Sequence, residues 1–243
     1  MDAMEAGDSM AVEEGTEQAA LKMYPEKGET GLVNSLSGDE TKMSLRAGVI
    51  GPTDTALMEE KAGLEKGILE REARNIGRFL AMQGFSMVCI PDRGVALYAL
   101  LEYSRYGGKN SVALFPSGSE RLDYSSDQTE RNLSFASYVK SGMSWEESPV
   151  QLIRNSDFFV CIGISCGTMI EIGWTKWVKR LPILLLRNTV SSIPPEIQAQ
   201  TDIRIYNSGE DLQAAVLEMR KSKVRIKSAK IKTRDYPEDK ILN

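Results

Sequence analysis

The stretch from Asp157 to Leu186, DFFVCIGISCGTMIEIGWTKWVKRLPILLL, reads as strand, loop, helix and strand in succession. Its two apolar runs, DFFVCI (157–162) and PILLL (182–186), have the length of strands buried on both faces. Between them Thr168–Lys179 repeats with helical period, and Ile170, Trp174, Trp177 and Val178 form an apolar stripe that predicts core packing. Two buried strands joined by a helix make a right-handed βαβ unit, so this stretch predicts a parallel sheet covered on both faces.

Working outward, the same alternation holds. LRAGVI (45–50), FSMVCI (85–90), SVALF (111–115) and IRIY (203–206) are further strand-length runs, and Gly67–Gln83, Val95–Tyr106, Ser148–Asn155 and Ser208–Lys221 have helical period. Gly84 and the pair Gly107–Gly108 stand where C-terminal caps belong. Gly63 and Gly67 argue against one unbroken helix over 57–83. The expected fold is α/β: a doubly wound, mostly parallel, Rossmann-like sheet in three layers over 44–220, with strand order 3-2-1-4-5-6. Pro116–Glu147 is expected to hold a loop, a short helix around Thr129–Lys140, or both.

Composition narrows the chemistry. The 243 residues include no histidine, which excludes Ser-His-Asp and Cys-His nucleophile systems and histidine metal ligation. The three cysteines form neither a disulfide framework nor a zinc spacing, and no metal site is expected. No apolar run is long enough to span a bilayer and no signal or transit peptide is visible, so a cytoplasmic protein without membrane contact is expected.

Charge is distributed unevenly. Residues 1–40 hold ten acidic and two basic side chains, and 221–243 hold eight basic and three acidic, within a formal net charge of −4. The first 43 residues read as an acidic, disordered leader, and 221–243 as a basic tail or an edge strand in which Val224 and Ile226 alternate with Arg225 and Lys227. Nucleic-acid binding through Lys221–Arg234 is the weaker reading of that tail.

In a doubly wound sheet ligands bind where the winding reverses, between strands 1 and 4 of the expected order. Two loops meet there: Gly51, Pro52, Thr53 and Asp54 after strand 1, and Gly163–Thr168 after strand 4. Pro91–Gly94, with Arg93 and Gly94, follows strand 2 nearby. Gly163, Ser165, Gly167 and Thr168 describe an anion cradle at a helix start, where free N–H groups and the helix dipole suit a phosphate. An alternative stays open, since Thr168-Met-Ile-Glu171 is also a capping box that needs no ligand. Asp54 and Asp92 are turn residues or acceptors for ribose hydroxyls, and Trp174 a core residue or a stacking platform.

With these residues in view, the segment Leu45–Asn188 resembles the LONELY GUY-type, lysine-decarboxylase-like Rossmann group of the SLOG superfamily. The resemblance rests on GPTD after strand 1 and on the group's G-G-x-G-T-x-x-E motif, which falls on Ile164, Ser165, Cys166, Gly167, Thr168 and Glu171. It implies a homodimer binding a small phosphorylated, nucleotide-like ligand, with Gly167 and Thr168 at the phosphate and Glu171 as catalytic carboxylate in members that cleave an N-glycosidic bond. Other relatives, among them molybdenum-cofactor carriers, bind without cleaving. CGTMIEIGW also resembles nucleoside deoxyribosyltransferases, whose nucleophilic glutamate falls on Glu171 as well. The chain departs from the group where Ile164 and Ser165 replace two glycines, and where Ser148 and Pro149 stand in place of an Arg-Lys pair of the enzymatic members. Two functions follow: a nucleotide or phosphorylated-cofactor binding protein of the SLOG type without standard hydrolase activity, or a glycosidic-bond hydrolase or transferase acting through Glu171. The cofactor itself is not named by the sequence.

Overall fold

The structure is a computed structural model that describes residues 44–116 and 126–232. Seven strands form one parallel sheet: β1 (Arg46–Ile50), β2 (Ser86–Cys89), β3 (Ser111–Pro116), β4 (Tyr138–Met143), β5 (Phe158–Cys161), β6 (Pro182–Leu186) and β7 (Asp202–Tyr206). Their order is β4-β3-β2-β1-β5-β6-β7. Central β1 pairs with β2 (Ala47 beside Met87) and with β5 (Val49 beside Val160), so the winding reverses between β1 and β5 as expected.

The helices are α1 (Thr55–Ala62), α2 (Ile68–Met82), α3 (Gly94–Arg105), α4 (Ser126–Leu133), α5 (Ser148–Asn155), α6 (Cys166–Val178), α7 (Pro195–Gln200) and α8 (Gly209–Lys232). Strand side chains alternate between two cores because successive residues point to opposite faces. Ala47, Val49, Phe158 and Val160 pack with Leu69, Ile76, Leu80, Val95, Leu100 and Leu212 of α2, α3 and α8. Ile50, Phe159 and Cys161 pack with Leu152, Ile153 and Ile172 of α5 and α6. This is the three-layer arrangement read from the sequence.

Gly63 and Gly67 interrupt the helical segment, giving α1 and α2 in place of one helix. The buried carboxylate of Glu59 accepts from the N–H groups of Gly67 and Leu69 and so caps α2 from the preceding helix.

Two expectations are corrected. The helix around Thr129–Lys140 ends at Leu133, and Tyr138–Met143 is an edge strand exposed at every position but Met143. It has no apolar run because, but for Met143, its positions are exposed. The segment from Lys221 is not an edge strand: α8 carries helix through Lys232, outlasting the Val224/Ile226 alternation, and β7 holds that edge of the sheet. The expected leader over 1–43, and 233–243, lie outside the described residues. Among the described residues no helix is long and apolar enough to cross a membrane.

Candidate functional site

At the carboxyl ends of β1, β2 and β5, three loops cross so closely that side chains are excluded. A Cβ on Gly51 would lie 2.3 Å from the Ile162 carbonyl, and one on Gly94 2.2 Å from the Pro52 carbonyl. Gly94 is in the left-handed region at φ 60°, and the next amide, Val95 N–H, donates to Pro52 O at 3.0 Å. Gly163, at φ 78°, packs on the Pro52 ring and Leu69. Gly51, Pro52, Gly94 and Gly163 are thus brought together, and their first task is to let the three loops touch. Thr53 remains exposed, and Asp54 is the N-cap of α1, accepting from Leu57 N–H at 3.0 Å.

The start of α6 is built differently. Ser165 is its N-cap, accepting from Thr168 N–H at 3.3 Å, with the two hydroxyls 3.0 Å apart. Thr168 therefore sits in the first turn, buried, and does not cap the helix; the Thr168–Glu171 capping box is not formed. The Gly163 N–H is already accepted by Thr189 Oγ1 at 3.1 Å, whose own hydroxyl donates to Leu186 O at 2.7 Å. Among the described residues no acceptor meets the amides of Cys166 and Gly167, and both residues are exposed. A Cβ on Gly167 would touch only Ser165 Oγ, at an ordinary 3.8 Å.

Relieved of capping, Glu171 lies a further turn into α6, partly buried, with no hydrogen bond or ion pair among the described residues. Burial pushes its carboxyl from an ordinary 4.5 up to about 8. At neutral pH it carries its proton and can donate a hydrogen bond. Burial also raises the Cys161 thiol at the end of β5, and the nearby Glu171 charge raises it further.

Arg93 is the N-cap residue of α3, half-exposed, its Nε 3.7 Å from Oδ1 of buried Asp92. Its loop is held by buried Asn132 of α4, whose Nδ2 donates to Pro91 O at 2.9 Å and Asp92 O at 2.8 Å. Neither Asn132 nor Thr189 is singled out by the sequence, because each matters through a partner remote in the chain. Arg154 stands in the last turn of α5, which runs into the start of β5 at the opposite end of the sheet, so it does not face Glu171.

The stripe on α6 is also corrected. Thr168, Ile172 and Thr175 meet the sheet, whereas Ile170, Trp174 and Trp177 are 47%, 43% and 74% exposed. Both rows have helical spacing, and the inner one is the row of smaller side chains. A notch of about 160 Å³ lies between α6 and α7, and one of about 20 Å³ beside Ile164 and Thr189. Neither is lined by Gly167. No three acidic or cysteine side chains gather in a metal-holding cluster among the described residues.

The sequence model of the SLOG cluster4 family matches residues 44–221. The chain belongs to this family. The SLOG cluster4 domain is similar in structure to the Moco carrier protein of Chlamydomonas reinhardtii, with 17% identity and a TM-score of 0.54 over 74% of this chain and 99% of that one. It is similar to the molybdenum cofactor binding protein of Rippkaea orientalis, with 18% identity and a TM-score of 0.52 over 76% and 99%. A third similar structure is DNA processing protein A of Helicobacter pylori, described with a single-stranded DNA binding mode, at 15% identity and a TM-score of 0.53 over 72% and 80%. At these identities the likeness establishes the shared fold. No curated protein matched the SLOG cluster4 sequence.

Proposed function

We propose that this SLOG cluster4 protein is a cytoplasmic binding protein for a nucleotide or phosphorylated cofactor, held at the start of α6 where the sheet reverses. The observation that carries the reading is the pair of exposed amides, Cys166 and Gly167, with no acceptor among the described residues, at the positive end of a thirteen-residue helix. Similar folds described as binding molybdenum cofactor or single-stranded DNA support a ligand-binding role. Ser148 and Pro149, in place of the basic pair of enzymatic relatives, argue against standard hydrolysis. Arg93, on the neighbouring loop after β2, is a candidate counter-charge.

The test is thermal-shift and calorimetric titration with nucleoside mono- and diphosphates. Saturable stabilisation by at least one of them is expected, and Gly167→Asp, which sets a carboxylate beside the amides, is expected to abolish it. Absence of any response overturns the reading.

A second reading, cleavage of an N-glycosidic bond, is favoured by the placement of Glu171, which has no hydrogen bond or ion pair among the described residues and whose carboxyl is pushed by burial up to about 8. A protonated carboxyl can assist a departing base as general acid. Release of free base from a nucleoside monophosphate, lost in Glu171→Ala, would establish it; binding without release leaves the first reading standing.

A further inference from the structure

Among the described side chains, Met219 is the last residue of α8 packed against the core. The last described anchors follow at once. Arg220 Nη1 donates to Gln83 O at 2.6 Å, its guanidinium lies 4.3 Å over the Phe85 ring, and Lys221 pairs with Glu218 at 2.6 Å. Helix nevertheless continues through Lys232. Over 222–232 the sequence SKVRIKSAKIK holds five basic residues, Lys223, Arg225, Lys227, Lys230 and Lys232, and no acidic one.

The ordinary reason for basic residues at a helix end does not cover these five. The helix dipole favours cations only in the last turn, which leaves Lys223, Arg225 and Lys227 outside its reach. Like charges three or four residues apart, as in Lys223/Lys227 and Lys227/Lys230, weaken a helix within the chain, and an anionic partner relieves them. In an edge strand Lys223, Arg225 and Lys227 would share one wet face and call for no partner. The helix redistributes them. At 3.6 residues per turn, Lys223, Lys227 and Lys230 fall in one row about 60° wide, and Arg225 and Lys232 in a second about 20° wide, roughly opposite the first.

We infer that this end of α8 is a binding element for double-stranded DNA, lying in the major groove with one basic row towards each phosphate wall. A helix with its side chains is about 10–12 Å across and the B-form major groove about 12 Å wide, so two opposed basic rows serve both strands at once. An anionic membrane is the poorer partner. Its surface helices need one broad apolar face, and here Val224/Ile231 and Ile226/Ala229 form two narrow strips on opposite sides. Duplex RNA is poorer too, because its deep, narrow major groove does not admit side chains. Four of the five basic residues are lysine, so the contact is with phosphates and reads no base sequence. The inference uses no residue of the α6 start and stands without the ligand reading.

Fluorescence anisotropy of the full chain with a labelled DNA duplex of about 20 base pairs tests it. Binding is expected at about 50 mM salt and should fall roughly 10²–10³-fold by about 200 mM, as five phosphate contacts require. Neutralising one row at a time checks the two-sided arrangement. The triple variant Lys223→Gln, Lys227→Gln, Lys230→Gln should reduce the log–log salt slope by about 2.7, and the double variant Arg225→Gln, Lys232→Gln by about 1.8. Glutamine keeps the helix propensity of lysine and arginine, so both variants are expected to retain the wild-type Tm. No binding at about 100 µM protein in about 50 mM salt, a slope carried by one row alone, or binding to duplex RNA or to phosphatidylserine vesicles as tight as to the DNA overturns the inference.

Discussion

Two sets of glycines, one where the loops cross at the sheet's reversal and one along α6, do opposite work. Gly51 and Gly94 sit where a Cβ would come within 2.3 Å and 2.2 Å of a backbone carbonyl, so the crossing of three loops exists only because they lack side chains. Gly167 and Gly173, on α6, face open space, and packing gives no account of them. A glycine that makes a fold possible is explained by what it touches. A glycine in open space on a helix, where alanine would be favoured, is not explained by packing within the chain.

The sharpest way to break this comparison is at the crossing. Gly94→Val places a branched side chain against Pro52 O in a left-handed backbone, and is expected to cost more than about 3 kcal/mol or to prevent soluble expression, read by urea or thermal unfolding. A variant as stable as wild type would show that the loops can part without cost.

An intermediate effect is expected at Glu171. Its folded carboxyl stands at about 8 against an ordinary 4.5, so between those values the unfolded chain ionises while the folded one keeps its proton. Its contribution is fully present below pH 4.5, drains away as pH rises towards 8, and levels above that. Glu171→Gln removes the slope, and its stability relative to wild type should rise by roughly 1–3 kcal/mol from pH 5 to pH 8, part of the full linkage being lost to solvent. Parallel pH profiles of Tm for the two proteins would place the carboxyl in water.

The smallest effect belongs to the open glycine. Gly167→Ala should leave stability unchanged or raise it by up to about 1 kcal/mol, since nothing opposes the added methyl and alanine suits a helix better. A loss of more than about 1 kcal/mol by the same unfolding assay would erase the difference between the two sets.

The buried architecture was legible because buried parallel strands are unbroken apolar runs; β1, β2, β3, β5, β6 and β7 each fall on one. β4 was not, because an edge strand with exposed faces carries the polar sequence YVKSGM. At the site, the sequence located the start of α6 to within two residues but not its cap. Ser165 and Thr168 are both good N-caps, and the choice is made by where the chain leaves β5. The Trp174/Trp177 stripe was misjudged because periodicity finds a face and not what covers it. The hold of Thr189 on the Gly163 amide, across 26 residues of chain, has no local signature at all.

The position of β1 has a consequence for how the molecule comes into being. Its partner on one side, β2, follows after α1 and α2, but its partner on the other is met only at β5, and the Arg46 amide waits 111 residues for the Asp157 carboxylate. During synthesis the early half must carry β1 as a bare apolar ribbon edge until that return, an invitation to wrong pairing that a chaperone would have reason to shield. Refolding from denaturant is accordingly expected to be slow, governed by the closing of this long loop.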